Sequence, residues 1–177
     1  MAASASAKRA ALASVAVIAG VLALIGVALA DAPPRAGAPA PAFALPVVAN
    51  GKGTLSLASF KGHAVYLNFF ASWCEPCKQE APSIAKLSKQ YAPHNVVVIG
   101  IDELEQAEAA KGFATRYHLS YRITLDTSGE VGGSYGLVGL PLSVFIAPNG
   151  TVTAYREGQL SEQQIRHELQ TLSAGQH

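Results

Sequence analysis

Only two cysteines occur among the 177 residues, together with one methionine and one tryptophan. Two cysteines exclude a disulfide-dense framework, and they supply half the ligands of a structural zinc site at most. The five histidines (His63, His94, His118, His167 and His177) are scattered, with no pair at ligand spacing, so histidine does not complete a metal set. Charge of one sign is also missing. Lys and Arg number 13 against 12 Asp and Glu, and from Asp31 onward, once Lys8 and Arg9 are set aside, 11 against 12. A near-neutral domain gives no electrostatic basis for binding nucleic acid. No internal repeat is present.

What the chain does have begins with "AALASVAVIAGVLALIGVALA", residues 10 to 30, an uncharged run behind Lys8-Arg9. Its length suffices to cross a bilayer, and the preceding basic pair predicts the N-terminus inside and the remainder outside. We read it as a retained anchor. The alternative is a cleaved signal peptide, because Ala28-Leu29-Ala30 ends the run with a small-x-small pattern. Both place the domain on the far, periplasmic face of the cytoplasmic membrane. Residues 31–42, rich in proline and alanine without apolar periodicity, read as a stiff linker, with the folded domain expected from Phe43 onward.

Within the domain, apolar runs alternate with helical patterns. "TLSLASF" (54–60) alternates as a half-buried strand does. "AVYLNFF" (64–70) and "NVVVIGID" (95–102) suit strands covered on both faces. Helices are expected over 74–91, 105–119 and 161–172, the last opened by Ser161 with Gln164 three residues on. "RITLD" (122–126) is a short strand, and "LSVFIA", "PNG" and "TVTAYRE" (142–157) form a hairpin. This order implies an α/β domain with a mixed central sheet.

Both cysteines lie in "FASWCEPCKQEAP" (70–82), where a strand gives way to a helix. A helix N-terminus offers unpaired N–H groups and the positive end of its dipole, which favour a thiolate at Cys74. Pro76 gives up no needed hydrogen bond in a first turn. Cys77 stands one turn further in. That arrangement makes Cys74 the exposed attacking thiol and Cys77 the resolving one. A staple between such close neighbours would remove little entropy from the unfolded chain, and a peroxidase pattern is missing, since Ala71 and Phe70 stand where its Thr or Ser and Pro would be. The pair therefore reads as a redox couple.

From Phe43 onward the sequence resembles the thioredoxin family, in its exported TlpA/ResA-like branch. "NFFASWCEPC" resembles the family's strand and Trp-Cys-x-x-Cys, Pro82 its helix-kinking proline, and "YGLVGLPLSVFIAPNG" the segment carrying its cis-proline, here Pro141. The resemblance implies a thioredoxin-like fold of four or five strands flanked by helices, with a Cys74–Cys77 disulfide, no cofactor, and Trp73, Glu75, Pro76 and Leu140 flanking the client. Two positions depart from thioredoxin itself. Leu142 follows the expected cis-proline where threonine is common, which would put an apolar contact near the partner groove. Asn68 replaces a buried aspartate, as is usual in this branch. Glu80, three residues after Cys77, is then expected to face inward as a raised-pKa carboxyl exchanging protons with the resolving thiol. Asp102-Glu103, after a strand end, read as a solvated loop.

The acid Glu75 between the cysteines disfavours a thiolate and predicts a reducing couple. By resemblance, the clients would be disulfide-bonded exported proteins, apocytochrome c foremost, with a membrane thiol relay as the electron source. The alternatives are an exported thiol oxidase or isomerase working in the opposite direction, and a copper-handling module using the thiols as ligands.

Overall fold

Strand β3, Ala64–Phe70, is buried at all seven positions and forms the middle of the sheet. Its β-branched and aromatic residues suit a strand covered on both faces. The computed structural model describes residues 34–175. The expectations for residues 1–30 lie outside that range; among the described residues no helix is long and apolar enough to cross a membrane.

The remaining strands are β1 (Ala44–Ala49), β2 (Thr54–Ser56), β4 (Val96–Glu103), β5 (Arg122–Asp126), β6 (Leu142–Ile146) and β7 (Val152–Glu157). They join in the order β2-β1-β5-β4-β3-β6-β7. β3, β4 and β5 run parallel. The β1–β5, β3–β6 and β6–β7 pairs are antiparallel. The sheet thus has seven strands where four or five were expected, because β1 and β2 form a hairpin added beside β5. The helices are α1 (Glu75–Tyr91), α2 (Ala107–Arg116), α3 (Glu130–Ser134) and α4 (Glu162–Ala174).

Alternation along β3 divides the core. Ala64, Tyr66 and Phe70 join a cluster built with Ile84 and Leu87 of α1, Phe113 of α2 and Ile165 and Leu169 of α4. Val65, Leu67 and Phe69 face the other way, against Phe43, Ile99, Ile101, Tyr135 and Val144. Register matters here, because a slip of one residue would exchange the two sets.

Local chemistry explains most boundaries. α4 starts with a reciprocal capping box: Ser161 Oγ accepts from Gln164 N, and the Gln164 side chain accepts from Ser161 N. The β6–β7 turn uses Gly150 at φ +86, a backbone that few side chains tolerate. "TLSLASF" differs from expectation. Only Thr54–Ser56 is extended, because pairing with β1 ends at Ala44–Ser56, and Leu57–Phe60 closes into a 3₁₀ turn. Part of the proline-rich segment is tied to the sheet. Gly37 N donates to Val152 O, Val152 N to Ala38 O and Ala40 N to Gly150 O, so residues 37–40 are paired to the start of β7.

Candidate active site

The end of β3 delivers the chain through Ala71-Ser72-Trp73 to Cys74, the N-cap of α1. Cys74 is extended (φ −73°, ψ 109°), and its Sγ accepts from Cys77 N at 3.2 Å. Cys74 and Cys77 are joined as a disulfide with Cα atoms 5.3 Å apart. Cys74 was expected to be the exposed thiol. It is only 4% exposed, against 2% for Cys77, so exposure does not distinguish the two in the disulfide form. Helix position does: Cys74 stands at the cap, where the free N–H groups are, and Cys77 lies inside the first turn. Trp73 beside them is 68% exposed. Glu75 is an exposed residue paired with Lys78 at 3.1 Å, so that ammonium offsets part of its charge.

The Leu140–Pro141 peptide bond is cis. It leads directly into β6, where Leu142 pairs with Phe69, so the Pro141 loop lies beside the end of β3 from which the cysteine loop departs. Leu140 is partly buried against both core clusters. Leu142 does not meet the partner groove as expected. Its side chain is fully buried in the second cluster, because alternation along β6 points it inward.

Glu80 is buried, as expected from its place on α1. Its Oε1 accepts from Asn68 Nδ2 at 2.9 Å and its Oε2 from Leu160 N at 3.1 Å. Burial raises its pKa to about 7, and these two donors hold it from rising further. Asn68 therefore takes a definite part: it carries no proton and fixes the carboxyl that can. The Tyr66 and Tyr121 hydroxyls are held above their ordinary range by burial first and then by the charge of Glu80.

Asp102 and Glu103 overturn the solvated-loop expectation. β4 runs on through Glu103, pairing Asp102 with Phe70 and Leu125 and Glu103 with Asp126, and the sheet carries both carboxyls inside. Neither Asp102 oxygen, nor Glu103 Oε1, has a hydrogen-bond partner. Burial and then the Glu105 carboxylate push Asp102 up to about 8. Burial and then Asp126 do the same to Glu103. Asp126 itself accepts from Gly132 N and Ser128 Oγ.

Glu105 is a site residue that sequence reasoning missed. It accepts from both the backbone N–H and, at 2.7 Å, the hydroxyl of Ser72, tying the β4–α2 connection to the cysteine loop. The signal was available in principle. Parallel pairing of β3 and β4 places whatever follows Asp102 opposite whatever follows Phe70. No group of three or more His, Cys, Asp or Glu among the described residues is arranged to hold a metal ion.

A Cys-x-x-Cys disulfide at a helix cap, beside a cis-proline loop and one helical turn before a buried carboxyl, on a mixed sheet flanked by helices, defines a thioredoxin-like thiol-disulfide oxidoreductase. Comparison with known proteins agrees. The Redoxin family model matches residues 35–172. The thiol-disulfide oxidoreductase ResA of Bacillus subtilis (strain 168) is 32% identical over 140 residues, covering 79% of this chain and 77% of the relative. ResA of Bacillus thuringiensis subsp. konkukian (strain 97-27) is 33% identical over 119 residues, covering 67% and 69%. A crystal structure of a candidate thiol:disulfide interchange protein DsbE from Chlorobium tepidum superposes with a TM-score of 0.73 at 27% identity, covering 79% of this chain and 99% of that one. The chain belongs to the Redoxin family, as a ResA-like member of the thioredoxin group. Its clients are proteins that bear disulfides.

Proposed function

We propose that the protein is a reductase for disulfides of exported proteins, with apocytochrome c as the leading client. It works outside the cytoplasm behind the N-terminal segment and is recharged by a membrane thiol relay. The observation that carries the direction is the charge around the dithiol. Glu75 stands between the cysteines and Glu80 is buried one turn beyond Cys77, with no cation inside the dipeptide. Acidic neighbours disfavour thiolates, and a couple whose thiolates are disfavoured keeps its disulfide and gives electrons away.

In this reading Cys74, as thiolate, attacks one sulfur of the client disulfide, forming a Cys74–client S–S bond and expelling the other client sulfur as a thiolate. Glu80, ionised, takes the proton of Cys77. The Cys77 thiolate then attacks Cys74 Sγ, closing the Cys74–Cys77 disulfide and releasing the second client sulfur. The client gains two electrons and leaves as two thiolates, which take one proton from Glu80, where the Cys77 proton went, and one from solvent, where the Cys74 proton went; the protein is left as the disulfide with Glu80 ionised again. A carboxyl near 7 is suited to this exchange, because it is partly in each form at neutral pH. Pro141 and Leu140 would receive the client backbone beside the disulfide, in the manner of strand addition, and Trp73 would cover the reacting sulfur.

The reduction potential tests the direction. Equilibration with glutathione should place it at or below the glutathione range, roughly −220 to −260 mV, and a value near the strongly oxidising end, ~−120 mV, would overturn the reading. The roles are tested by trapping. Cys77→Ser should accumulate covalent client adducts on non-reducing gels, and Cys74→Ser should form none. Equal trapping by both variants, or by neither, would overturn the assigned roles.

A further inference from the structure

Three large apolar side chains are exposed among the described residues: Trp73, Leu104 and Val138. All three stand in loops at the same end of the sheet. Trp73 precedes Cys74. Val138 lies just before Leu140-Pro141, at the start of β6, which runs antiparallel to β3. Leu104 follows β4, whose parallel register with β3 puts it opposite the cysteine loop, and its neighbour Glu105 is hydrogen-bonded to Ser72.

Leu104 is the least expected of the three. It is 67% exposed, and its φ of +59° lies in the left-handed region, where asparagine or glycine fits at lower cost. Its neighbours impose that backbone. Glu103 is drawn inward by pairing with Asp126, Leu104 N donates to Asp126 O at 2.9 Å, and Glu105 is held by Ser72. The leucine side chain lies over Gly129, also at positive φ. A Cβ there would come within 3.0 Å of Leu104 Cδ2, so the glycine leaves just enough room for the leucine to rest on it. Backbone preference and solvent exposure would both favour a small polar residue at position 104. Backbone geometry does not select leucine here, and its contact with Gly129 leaves the residue 67% exposed.

We propose that Leu104 is a specificity-determining residue: it receives an apolar side chain flanking the reacting cysteine of an extended client segment. Its loop leaves the same end of the sheet as the cysteine loop and is tied to that loop through Glu105 and Ser72, and every client must reach the disulfide there. An extended segment crossing Cys74 from the Pro141 loop arrives next at the β4–α2 connection. The occupant is thus the client chain itself, with an apolar residue on the side away from Pro141.

The test uses the reduced full-length protein and two synthetic peptides, each closed by a Cys-x-x-Cys disulfide, one flanked by leucines and the other by serines. Second-order reduction rates should favour the leucine-flanked peptide. In Leu104→Asn that preference should shrink roughly threefold or more, in Leu104→Met it should be retained, and the thermal midpoint of Leu104→Asn should not fall. The same preference in wild type and Leu104→Asn overturns the proposal, as does its absence from the wild type. A lowered midpoint in Leu104→Asn with the preference intact makes the leucine a structural residue and overturns it as well. If the protein proves to be an oxidant, the ratio is read with the disulfide form and the reduced peptides, so failure of the reductase reading leaves this test standing.

Discussion

Replacing Glu80 by glutamine separates a titrating carboxyl from one that is merely buried. In the folded protein the Glu80 pKa is raised from 4.5 to about 7. The native state therefore holds a proton that the unfolded chain releases between those values, and stability falls as pH rises through the interval. The slope is about −1.4 kcal/mol per pH unit, and the full loss by pH 7 is on the order of 3 kcal/mol. Below the unfolded pKa both states are protonated and the favourable term is complete. Glutamine has no such dependence. It has one acceptor for the two donors, Asn68 Nδ2 and Leu160 N, so it adds a pH-independent cost of about 1–3 kcal/mol. Urea unfolding of the disulfide forms from pH 4 to 8 should show wild type ahead at the acid end, with the advantage shrinking or reversing toward pH 7. Other carboxyls titrate equally in both proteins and cancel in the difference. A difference that stays constant across the range would mean that Glu80 does not titrate in the folded state, and its place as proton carrier would fall with it.

Two further perturbations test the surroundings. Asp102, raised from 3.8 to about 8 and without a hydrogen-bond partner, should make the wild type lose stability with rising pH across that window. Asp102→Asn should therefore be the more stable protein at pH 8 in the same urea assay, and a variant that is weaker at every pH would refute this. Gly100 sits in β4 where an added Cβ would lie 2.6 Å from Ile123 Cδ1 and 3.1 Å from Phe70 Cε1. Gly100→Ala should cost about 1–3 kcal/mol by overpacking, and an unchanged urea midpoint would show that the Ile123 methyl, and the Phe70 ring behind it, can move aside.

The long elements were legible because they carry their own signals. β3 and β4 are nearly continuous apolar runs, α1 follows a cap and an early proline, and α4 shows its capping box in four letters. β1, with a proline inside "ALPVVA", and α3, five residues with two glycines, have no such pattern and exist because neighbours hold them. β1 pairs on both sides, with β2 and β5. α3 receives the Asp126 carboxylate at Gly132 N. At the site, Cys74, Cys77 and Glu80 could be placed because helix periodicity fixes their relation. Asp102 and Glu103 could not. An acidic pair after an apolar run reads as the start of a loop, and only the pairing of β4 with its neighbours carries the strand through Glu103 and both carboxyls inside. Local sequence has no access to that extension.

The register of β3 is where fold and chemistry become inseparable. Val65, Leu67 and Phe69 fill one face of the sheet, and Asn68, from the opposite set, reaches Glu80. Two neighbouring strands fix this choice, since Asn68 pairs with Gly100 of β4 and with Ser143 of β6. Slipping β3 by one residue would bring Leu67 or Phe69 to the carboxyl and leave Glu80 Oε1 without its donor. It would also shift the departure point of the cysteine loop relative to Glu105, which must meet Ser72, and relative to Pro141, which precedes the strand paired to Phe69. The hydrophobic alternation that stabilises the sheet is therefore the same constraint that sets the buried Glu80 carboxyl, the Glu105–Ser72 contact and the proline loop around one disulfide. A substitution that loosened the core of β3 should disturb the chemistry before it unfolded the domain, because three separate contacts to the site are measured from that one strand.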